Sequence, residues 1–238
     1  LGDEAMLRER YFDLVVEPGD FAAENDTGLT KNGTATSLNP IRFGPDFLSR
    51  TEARKRLGLE PNEPAALIQL GAGQINDTNS LISQIVAEVS ACGVRPVVAA
   101  SVLAQPLDVE NESVMVVQLF PISEYFHAFD FGVFAGGYNS FHEAMAAWLP
   151  ALFVPNLATK LDNQEARVQW AVDRQMAAVW TGTGGLALTI RSLANPDHRA
   201  GMRKRMQSLP VTNGAAQVAQ LLAEHGSGDT NSRSEDER

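Results

Sequence analysis

The sequence predicts an α/β fold in which a parallel β-sheet is covered by helices on both faces. From residue 65 onward, short apolar runs alternate with amphipathic stretches, which is typical of parallel strands joined by right-handed helical crossovers. Two of the junctions between a strand and the next helix are rich in glycine, and ligands of such sheets bind beyond the carboxyl ends of the strands. Hydrophobic residues make up 44% of the 238 residues, so the chain can form a packed core.

The chain before the sheet predicts few regular elements. Residues 11–16 predict a short strand, and residues 21–45 predict loops because they are rich in Gly, Asn, Thr and Asp. A helix follows, since Ser49 and Glu52 match the capping-box pattern and Gly58 can end the helix.

The sheet itself is predicted from apolar runs of strand length, and its helices from apolar residues at helical spacing. The six predicted strands are residues 65–70, 95–101, 113–119, 131–135, 151–155 and 177–180. The predicted helices are residues 78–92, 121–129, 140–148, 163–174, 185–193, 198–209 and 215–225. Residues 226–238 contain only small, polar and charged residues, so we expect a disordered tail.

Charge and cysteine content exclude several classes of protein. The chain has 19 Lys and Arg against 29 Asp and Glu, a formal net charge of −10, which argues against a nucleic-acid-binding protein. The single cysteine, Cys92, excludes a disulfide framework and a cysteine-rich metal site. The sequence shows no secretory signal and no apolar run of the roughly 20 residues that span a bilayer. We therefore expect a cytoplasmic protein, and the missing initiator Met predicts further residues upstream.

The strongest candidate site is the junction that begins Gly136-Gly137-Tyr138-Asn139-Ser140 and continues to Glu143. Two glycines let a ligand approach the backbone, and the N-terminal N–H groups of the next helix suit a phosphate or pyrophosphate. Glu143 could accept hydrogen bonds from both hydroxyls of a ribose. Alternatively, Ser140-x-x-Glu143 is a capping box in which Glu143 bonds the Ser140 backbone. Spacing alone leaves both interpretations open.

Two other segments are weaker candidates. Asp162-Asn163-Gln164-Glu165 could reach the hydroxyls of a sugar, although Asp162 could instead be the N-cap of the next helix. Gly71-Ala72-Gly73-Gln74 follows the first strand of the sheet and could donate N–H groups to a phosphate. The latter lacks the third glycine of a dinucleotide fingerprint, so a Rossmann NAD site is disfavoured.

These motifs together resemble the nucleotide-binding half of the GT-B glycosyltransferases, whose two halves are Rossmann-like. The resemblance is greatest to glycosyltransferase family 28 and to the group that contains the peptidoglycan N-acetylglucosaminyltransferase. It covers about residues 60–225, and its pattern is a glycine-rich turn, a helix bearing Glu, a Leu-Pro-x-x-x-x-Pro segment and an acidic-x-Gln segment. Here Trp148, which precedes Leu149-Pro150, stands where the family usually has glycine.

The resemblance implies a role for each candidate residue. Glu143 would bind the ribose, and Asn163 and Gln164 the hydroxyls of the donor sugar. The loop with Phe120 and Ile122 would hold the base through backbone groups. The turns that would face the diphosphate contain Gly71, Gly73, Gln74, Gly136, Gly137, Asn139 and Ser140.

The resemblance also implies a function and a domain organisation. It implies transfer of a sugar from a nucleoside diphosphate, UDP above all, to an unidentified acceptor, without a metal or other cofactor. The acceptor is a lipid-linked or a small molecule, and a lipid would place the protein at the membrane periphery. Residues 1–60 would be the last strand of a first half and the interdomain connection, residues 61–225 the donor-binding domain, and residues 226–238 the tail. The general base would then lie in the missing first half or in a partner subunit.

Two alternatives to a transferase stay open from the sequence. One is an epimerase or hydrolase of nucleotide sugars, because enzymes of these classes share the fold and parts of the pattern. The other is a subunit without catalytic activity that binds the donor for a partner.

Overall fold

The computed structural model describes residues 11–25, 35–43, 46–71, 78–100, 114–157 and 162–228. The chain divides into two compact units, one formed by residues 1–42 and 212–238 and the other by residues 43–211. This division groups residues 43–60 with the sheet and the last helix with the first unit, whereas the motifs of the sequence predict a sheet domain over residues 61–225. In the described part of the chain, no helix is both long and apolar enough to cross a membrane.

The strands in the described ranges form two sheets, one in each unit. The first unit contains β1 and β2, and the second contains a six-stranded parallel sheet in the order β5-β4-β3-β6-β7-β8. The parallel sheet predicted from the sequence is confirmed. The strands are β1 (Val16–Glu17), β2 (Thr36–Ser37), β3 (Ala65–Gln69), β4 (Arg95–Ala99), β5 (Met115–Val117), β6 (Phe131–Ala135), β7 (Ala151–Val154) and β8 (Ala177–Val179).

Helices alternate with strands along the chain, as expected for an α/β fold. Among the described residues, two short 3₁₀ helices, Ala23–Asn25 and Ile122–Ala128, accompany the α-helices. The α-helices are α1 (Arg50–Leu57), α2 (Thr78–Ala91), α3 (Tyr138–Ala146), α4 (Gln164–Asp173), α5 (Leu186–Ala194), α6 (Pro196–Met206) and α7 (Ala215–Gly228). Residues 226–228, predicted as the start of a disordered tail, are the last residues of α7.

In the first unit, the beginning of α7 packs against the segment that follows β2. The N–H group of Gly214 donates to the carbonyl of Pro40 at 3.0 Å. The Asn213 side chain accepts hydrogen bonds from the N–H groups of Arg42 and Ala215, both at 3.1 Å. A Cβ atom on residue 214 would lie 2.1 Å from the carbonyl oxygen of Asn39, so this close approach requires glycine. The predicted strand over residues 11–16 is shorter and later than expected, since only Val16–Glu17 pairs with β2.

The core of the second unit lies on the two faces of the parallel sheet. Every residue from Ala65 to Ile68 in β3 is fully buried, which is the burial expected when helices cover both faces. Phenylalanines pack from strand to helix, with ring centroids of Phe134 and Phe153 6.1 Å apart and those of Phe141 and Phe153 5.3 Å apart. This packing holds α3 against β7 and so fixes the start of α3 at the edge of the sheet.

The order of the strands reverses between β3 and β6. From β3 the chain proceeds outward to β4 and β5, then returns to place β6 on the other side of β3. Ile68 pairs with Val133 and Gln69 with Phe134, so the carboxyl ends of β3 and β6 are almost level. Crevices at such switch points bind the ligands of open α/β sheets, and both glycine-rich turns follow the two strands that meet here.

Candidate functional site at the switch point

Gly136 follows β6 and is buried where the turn packs against α4. A Cβ atom on residue 136 would lie 2.9 Å from Cγ2 of Val168 and 3.2 Å from the Cβ atoms of Gln164 and Pro155. The backbone at Gly136 can therefore approach α4 this closely because the residue has no side chain. This glycine serves packing within the protein.

Gly137 is the N-cap of α3 and has open space beside it. Its backbone is extended, with φ −65° and ψ 156°, and the nearest atom to a Cβ there would be Nε2 of Gln164 at 4.0 Å. The Phe141 N–H donates to the carbonyl of Gly137 at 3.0 Å, which closes the first turn. The N–H groups of a first helical turn have no acceptor within the helix, and the helix end carries about half a positive charge. A small anion can occupy this space.

The start of α3 corrects the prediction of a helix over residues 140–148. The helix begins at Tyr138, so Ser140 lies in the first turn and cannot be the N-cap of a box with Glu143. The physical reason is that the extended Gly137 can end the turn and begin the helix without a capping side chain. The capping interpretation of Ser140-x-x-Glu143 is therefore wrong.

Glu143 lies in the second turn of α3 with 8% of its surface exposed. Residues four apart share one face of a helix, so Glu143 lies on the face of Asn139, which is exposed at the start of α3. Ser140, three residues before Glu143, is half-buried on the same side. A carboxylate, an amide and a hydroxyl thus follow one face of α3 from its N-terminus.

Gln164 lies beside the glycine turn, with its Cβ 3.2 Å from the position of a Cβ on residue 136. Its Oε1 accepts a hydrogen bond from the N–H of Asn156 at 2.9 Å, and its Nε2 donates to Oδ2 of Asp162 at 3.1 Å. These two bonds hold the amide between the end of β7 and the start of α4, facing Gly137. Ala135 pairs with Val154 in the sheet, and this register brings the two segments together.

Asn163 is the N-cap of α4, because its side chain accepts a hydrogen bond from the N–H of Ala166 at 3.1 Å. The alternative that Asp162 caps this helix is therefore wrong. Asp162 instead forms an ion pair with Arg167, whose Nη1 lies 2.7 Å from Oδ1. Since Asn163 lies between Asp162 and the first residue of α4, its own side chain is the one in reach of the helix N–H groups.

Arg167 also belongs to this site, although no motif of the sequence indicated it. It is buried, with 7% exposed, and its Nη1 also donates to the carbonyl of Gly136 at 3.2 Å. The guanidinium lies over the ring of Tyr138, 5.5 Å from the centroid. Arg167 thus connects Asp162, the glycine turn and the first residue of α3. The available signal was the spacing of Arg167 from Trp170 and Ala171, three and four residues later, which puts the arginine on an apolar helical face where it requires partners.

The other predicted residues follow strands on the opposite side of β6 from β7. Gly71 follows β3, which is next to β6, whereas Phe120 and Ile122 follow β5, three strands from β6. Gly71 follows β3 with φ 74°, a backbone conformation that favours glycine. Phe120 follows β5 and is 80% exposed, and Ile122 is buried at the start of the 3₁₀ helix. The ring of Phe120 contacts that of Phe43, with centroids 5.1 Å apart. Gly73 and Gln74 lie outside the described residues.

The fold is that of one Rossmann-like domain of the GT-B glycosyltransferases, and the predicted resemblance is confirmed at the level of the fold. MurG from Acinetobacter baumannii superposes with a TM-score of 0.62 at 15% identity, over 94% of this chain and 64% of its own. The glycosyltransferase SnogD from Streptomyces nogalater gives a TM-score of 0.58 at 16% identity, over 89% of this chain and 55% of its own. The Streptomyces sp. SF2575 glycosyltransferase SsfS6, complexed with thymidine diphosphate, gives 0.57 at 16% identity, over 90% and 53%.

The chain thus spans between 53% and 64% of the length of these three structures. No protein-family model and no curated protein matches the sequence. At these identities the solved structures establish the fold of the chain.

Proposed function

We propose that this chain is the donor-binding part of a glycosyltransferase, which binds a nucleoside diphosphate sugar at the switch point. The observation that carries the proposal is the start of α3, where Gly137 leaves open space beside the amide of Gln164. An anion-binding helix end next to hydrogen-bonding side chains matches a ligand that joins a diphosphate to a sugar. The glycosyltransferase fold favours this ligand over other phosphates.

Each candidate residue then has a chemical role. The first turn of α3, with Asn139 and Ser140, binds the diphosphate, and Gly71 presents the backbone of the neighbouring turn to it. Glu143 accepts hydrogen bonds from the ribose hydroxyls. Asn163 and Gln164 bind hydroxyls of the sugar, with Gln164 held in place by its two hydrogen bonds.

The base of the nucleotide binds along the same edge of the sheet, at the loop that contains Phe120 and Ile122. Backbone groups of this loop hold the base, and the exposed ring of Phe120 offers an apolar surface. UDP is the expected nucleotide. A thymidine diphosphate donor is the nearest alternative, since both carry a pyrimidine and one structural neighbour is complexed with thymidine diphosphate.

The proposed reaction replaces the bond between the anomeric carbon and the diphosphate. An acceptor hydroxyl loses its proton to a base, its oxygen forms the new bond, and the diphosphate leaves with the electron pair. The helix end stabilises the negative charge that develops on the leaving group, and the proposal requires no metal. The base must lie within hydrogen-bond reach of the acceptor, and we place it in the other half of a GT-B enzyme.

Calorimetric titration of the chain with UDP, dTDP and GDP tests the binding proposal. We expect saturable binding of UDP, weaker binding of dTDP and the weakest binding of GDP, because a purine is larger than the expected base. Saturable binding of none of the three would contradict the proposal.

The substitution Glu143→Gln tests the ribose contact. An amide is a weaker acceptor than a carboxylate, so we expect UDP affinity to fall about tenfold, as for the loss of a hydrogen bond to a charged group. The affinity for dUDP, which lacks one ribose hydroxyl, should fall less. Glu60→Gln is the control with the same change of charge, because Glu60 is exposed after α1, outside the candidate segments, and should leave both affinities unchanged. Equal losses for UDP and dUDP would show that Glu143 acts on something other than that hydroxyl.

A further inference from the structure

A cavity lies at the amino ends of the strands of the parallel sheet, opposite the candidate donor site. It has a volume of about 450 Å³. Its walls come from α1, from the 3₁₀ helix Ile122–Ala128, from α6 and from the turn that precedes β7. Its walls are mainly aromatic and apolar, and its charged groups are Arg50, Asp130 and Arg203. Small-molecule sites have this size and this combination of an apolar wall with a few polar groups.

Arginines outnumber carboxylates in this cavity. Nη2 of Arg50 lies 3.3 Å and Nη2 of Arg199 3.8 Å from Oδ1 of Asp130, and the N–H of Ala65 donates to Oδ2 at 2.9 Å. The carboxylate of Asp130 is therefore already shared by two guanidinium groups and a backbone donor. This local excess of positive charge occurs in a chain whose net charge is −10.

Arg203 is the cation with the fewest partners in the cavity. Its Nη2 donates to the backbone carbonyl of Asp130 at 2.8 Å. Among the described residues, this is the one hydrogen bond of the Arg203 side chain. Burial, and next the neighbouring Arg199 guanidinium, lower the pKa of Arg203, which means that its charge is poorly compensated. A guanidinium has five N–H donors that match an oxyanion in pairs, so an anion could engage the remaining donors of Arg203.

Trp148 provides an aromatic surface in the same cavity and is held in an unusual backbone conformation. Its φ is 51°, in the left-handed region that bulky residues rarely adopt. The N–H groups of Trp148 and Leu149 donate to the carbonyls of Met145 and Ala144, at 3.2 Å and 3.0 Å, which ends α3 in this conformation. A strained residue at a cavity is a reason to suspect a function, and 36% of the Trp148 surface is exposed.

We propose that this cavity binds a small molecule in which an oxyanion, phosphate or carboxylate, is attached to an aromatic ring. Arg203 and the exposed side of Arg50 bind the oxyanion, and the indole of Trp148 contacts the ring. The site is separate from the proposed donor site, because the two lie at opposite ends of the strands.

Titration of the full chain with phenyl phosphate tests this proposal, with Arg203→Gln as the variant. We expect saturable binding to the native chain and a loss of about tenfold or more in the variant, since a charged hydrogen-bonding group is removed. Arg205→Gln is the matched control, because Arg205 is exposed on the same helix and should keep the native affinity. Binding that is equal in all three proteins, or absent in the native chain, would overturn the proposal.

Two further variants separate binding from folding. Arg203→Lys keeps the charge and should bind phenyl phosphate with an affinity between those of the native chain and Arg203→Gln. Trp148→Gly removes the ring at a position whose φ suits glycine. We expect this variant to weaken the binding of phenyl phosphate but not that of inorganic phosphate. If Trp148→Gly retains the native circular dichroism spectrum and binds phenyl phosphate as the native chain does, the assigned role of the indole is wrong.

Discussion

The adjacent residues Gly136 and Gly137 have opposite environments, although the sequence gives no reason to distinguish them. Atoms of α4 and of the residue after β7 surround Gly136, with the closest 2.9 Å from a Cβ position, whereas Gly137 has 4.0 Å to the nearest atom. The first glycine therefore permits close packing. The second leaves space at the end of a helix.

Substitution of each glycine should separate stability from binding. Gly136→Ala should lower the free energy of unfolding by about 1–3 kcal/mol, the usual effect of overpacking. Gly137→Ser should leave stability unchanged or higher, because serine is a good N-cap, but its hydroxyl should occupy the space proposed for phosphate and lower UDP affinity about tenfold. Urea unfolding and calorimetric titration measure the two effects. Unchanged UDP affinity in Gly137→Ser would place the diphosphate elsewhere.

A buried arginine also joins α1 to two loops. Arg54 is 2% exposed, and its guanidinium donates to the backbone carbonyls of Ala128 at 2.6 Å, of Glu60 and of Glu63. Burial, and next the neighbouring Arg50, lower the pKa of Arg54. These hydrogen bonds fix the end of α1 against the 3₁₀ helix Ile122–Ala128. The Arg54 side chain therefore contributes to the packing of these two helices.

Arg54→Met should destabilise the protein by about 3 kcal/mol, because buried carbonyls lose their donors. The matched control is Arg56→Met on the same helix. Arg56 is exposed and pairs with Glu52 at 2.6 Å, an exposed pair of the kind that contributes at most about 0.5 kcal/mol. Chemical denaturation of both variants gives the comparison. Similar stabilities of the two variants would show that the carbonyls find other partners.

The ends of α1 and α4 use the left-handed backbone conformation with different residues. Gly58 has φ 69° after α1, and Gln175 has φ 54° after α4. Gln175→Gly should raise the free energy of unfolding by about 1 kcal/mol, since a residue with a Cβ is strained in this conformation. Gly58→Ala should lower the free energy of unfolding by a similar amount, because a Cβ there meets no atom within 4 Å and the effect is conformational alone. Thermal unfolding followed by circular dichroism tests both signs, and a loss of stability in Gln175→Gly would contradict the first.

At the scale of the whole molecule, net charge and topology decide what the chain can bind and where. With 29 acidic against 19 basic residues, the chain should repel polyanions. We expect no binding of a fluorescein-labelled duplex DNA at 0.15 M salt in fluorescence anisotropy, because such binding requires cations along the phosphates. A saturable, salt-dependent rise in anisotropy would show that the local arginine excess near Asp130 outweighs the net charge.

Much of the fold could be predicted because each element has a local signal. Apolar runs of four to seven residues identified the strands, and Ser49, which accepts a hydrogen bond from the N–H of Glu52 at 3.3 Å, marked the start of α1 as predicted. The starts of α3 and α4 were predicted less well. Asp162 and Asn163 both suit an N-cap, as do Gly137 and Ser140, and local sequence does not choose between adjacent candidates.

The sequence by itself determined the alternation of strands and helices, the acidic balance and the positions of the glycine-rich turns, because these depend on residues that are neighbours in the chain. The tertiary structure decided which strands are adjacent, and with them that the carboxyl ends of β3 and β6, after which the glycine-rich turns begin, lie side by side. It also paired Arg167 with Asp162 and Gly136, and grouped several arginines around Asp130. Such contacts join residues far apart in the chain, so their energies depend on the packing of the sheet and leave no periodic trace in the sequence.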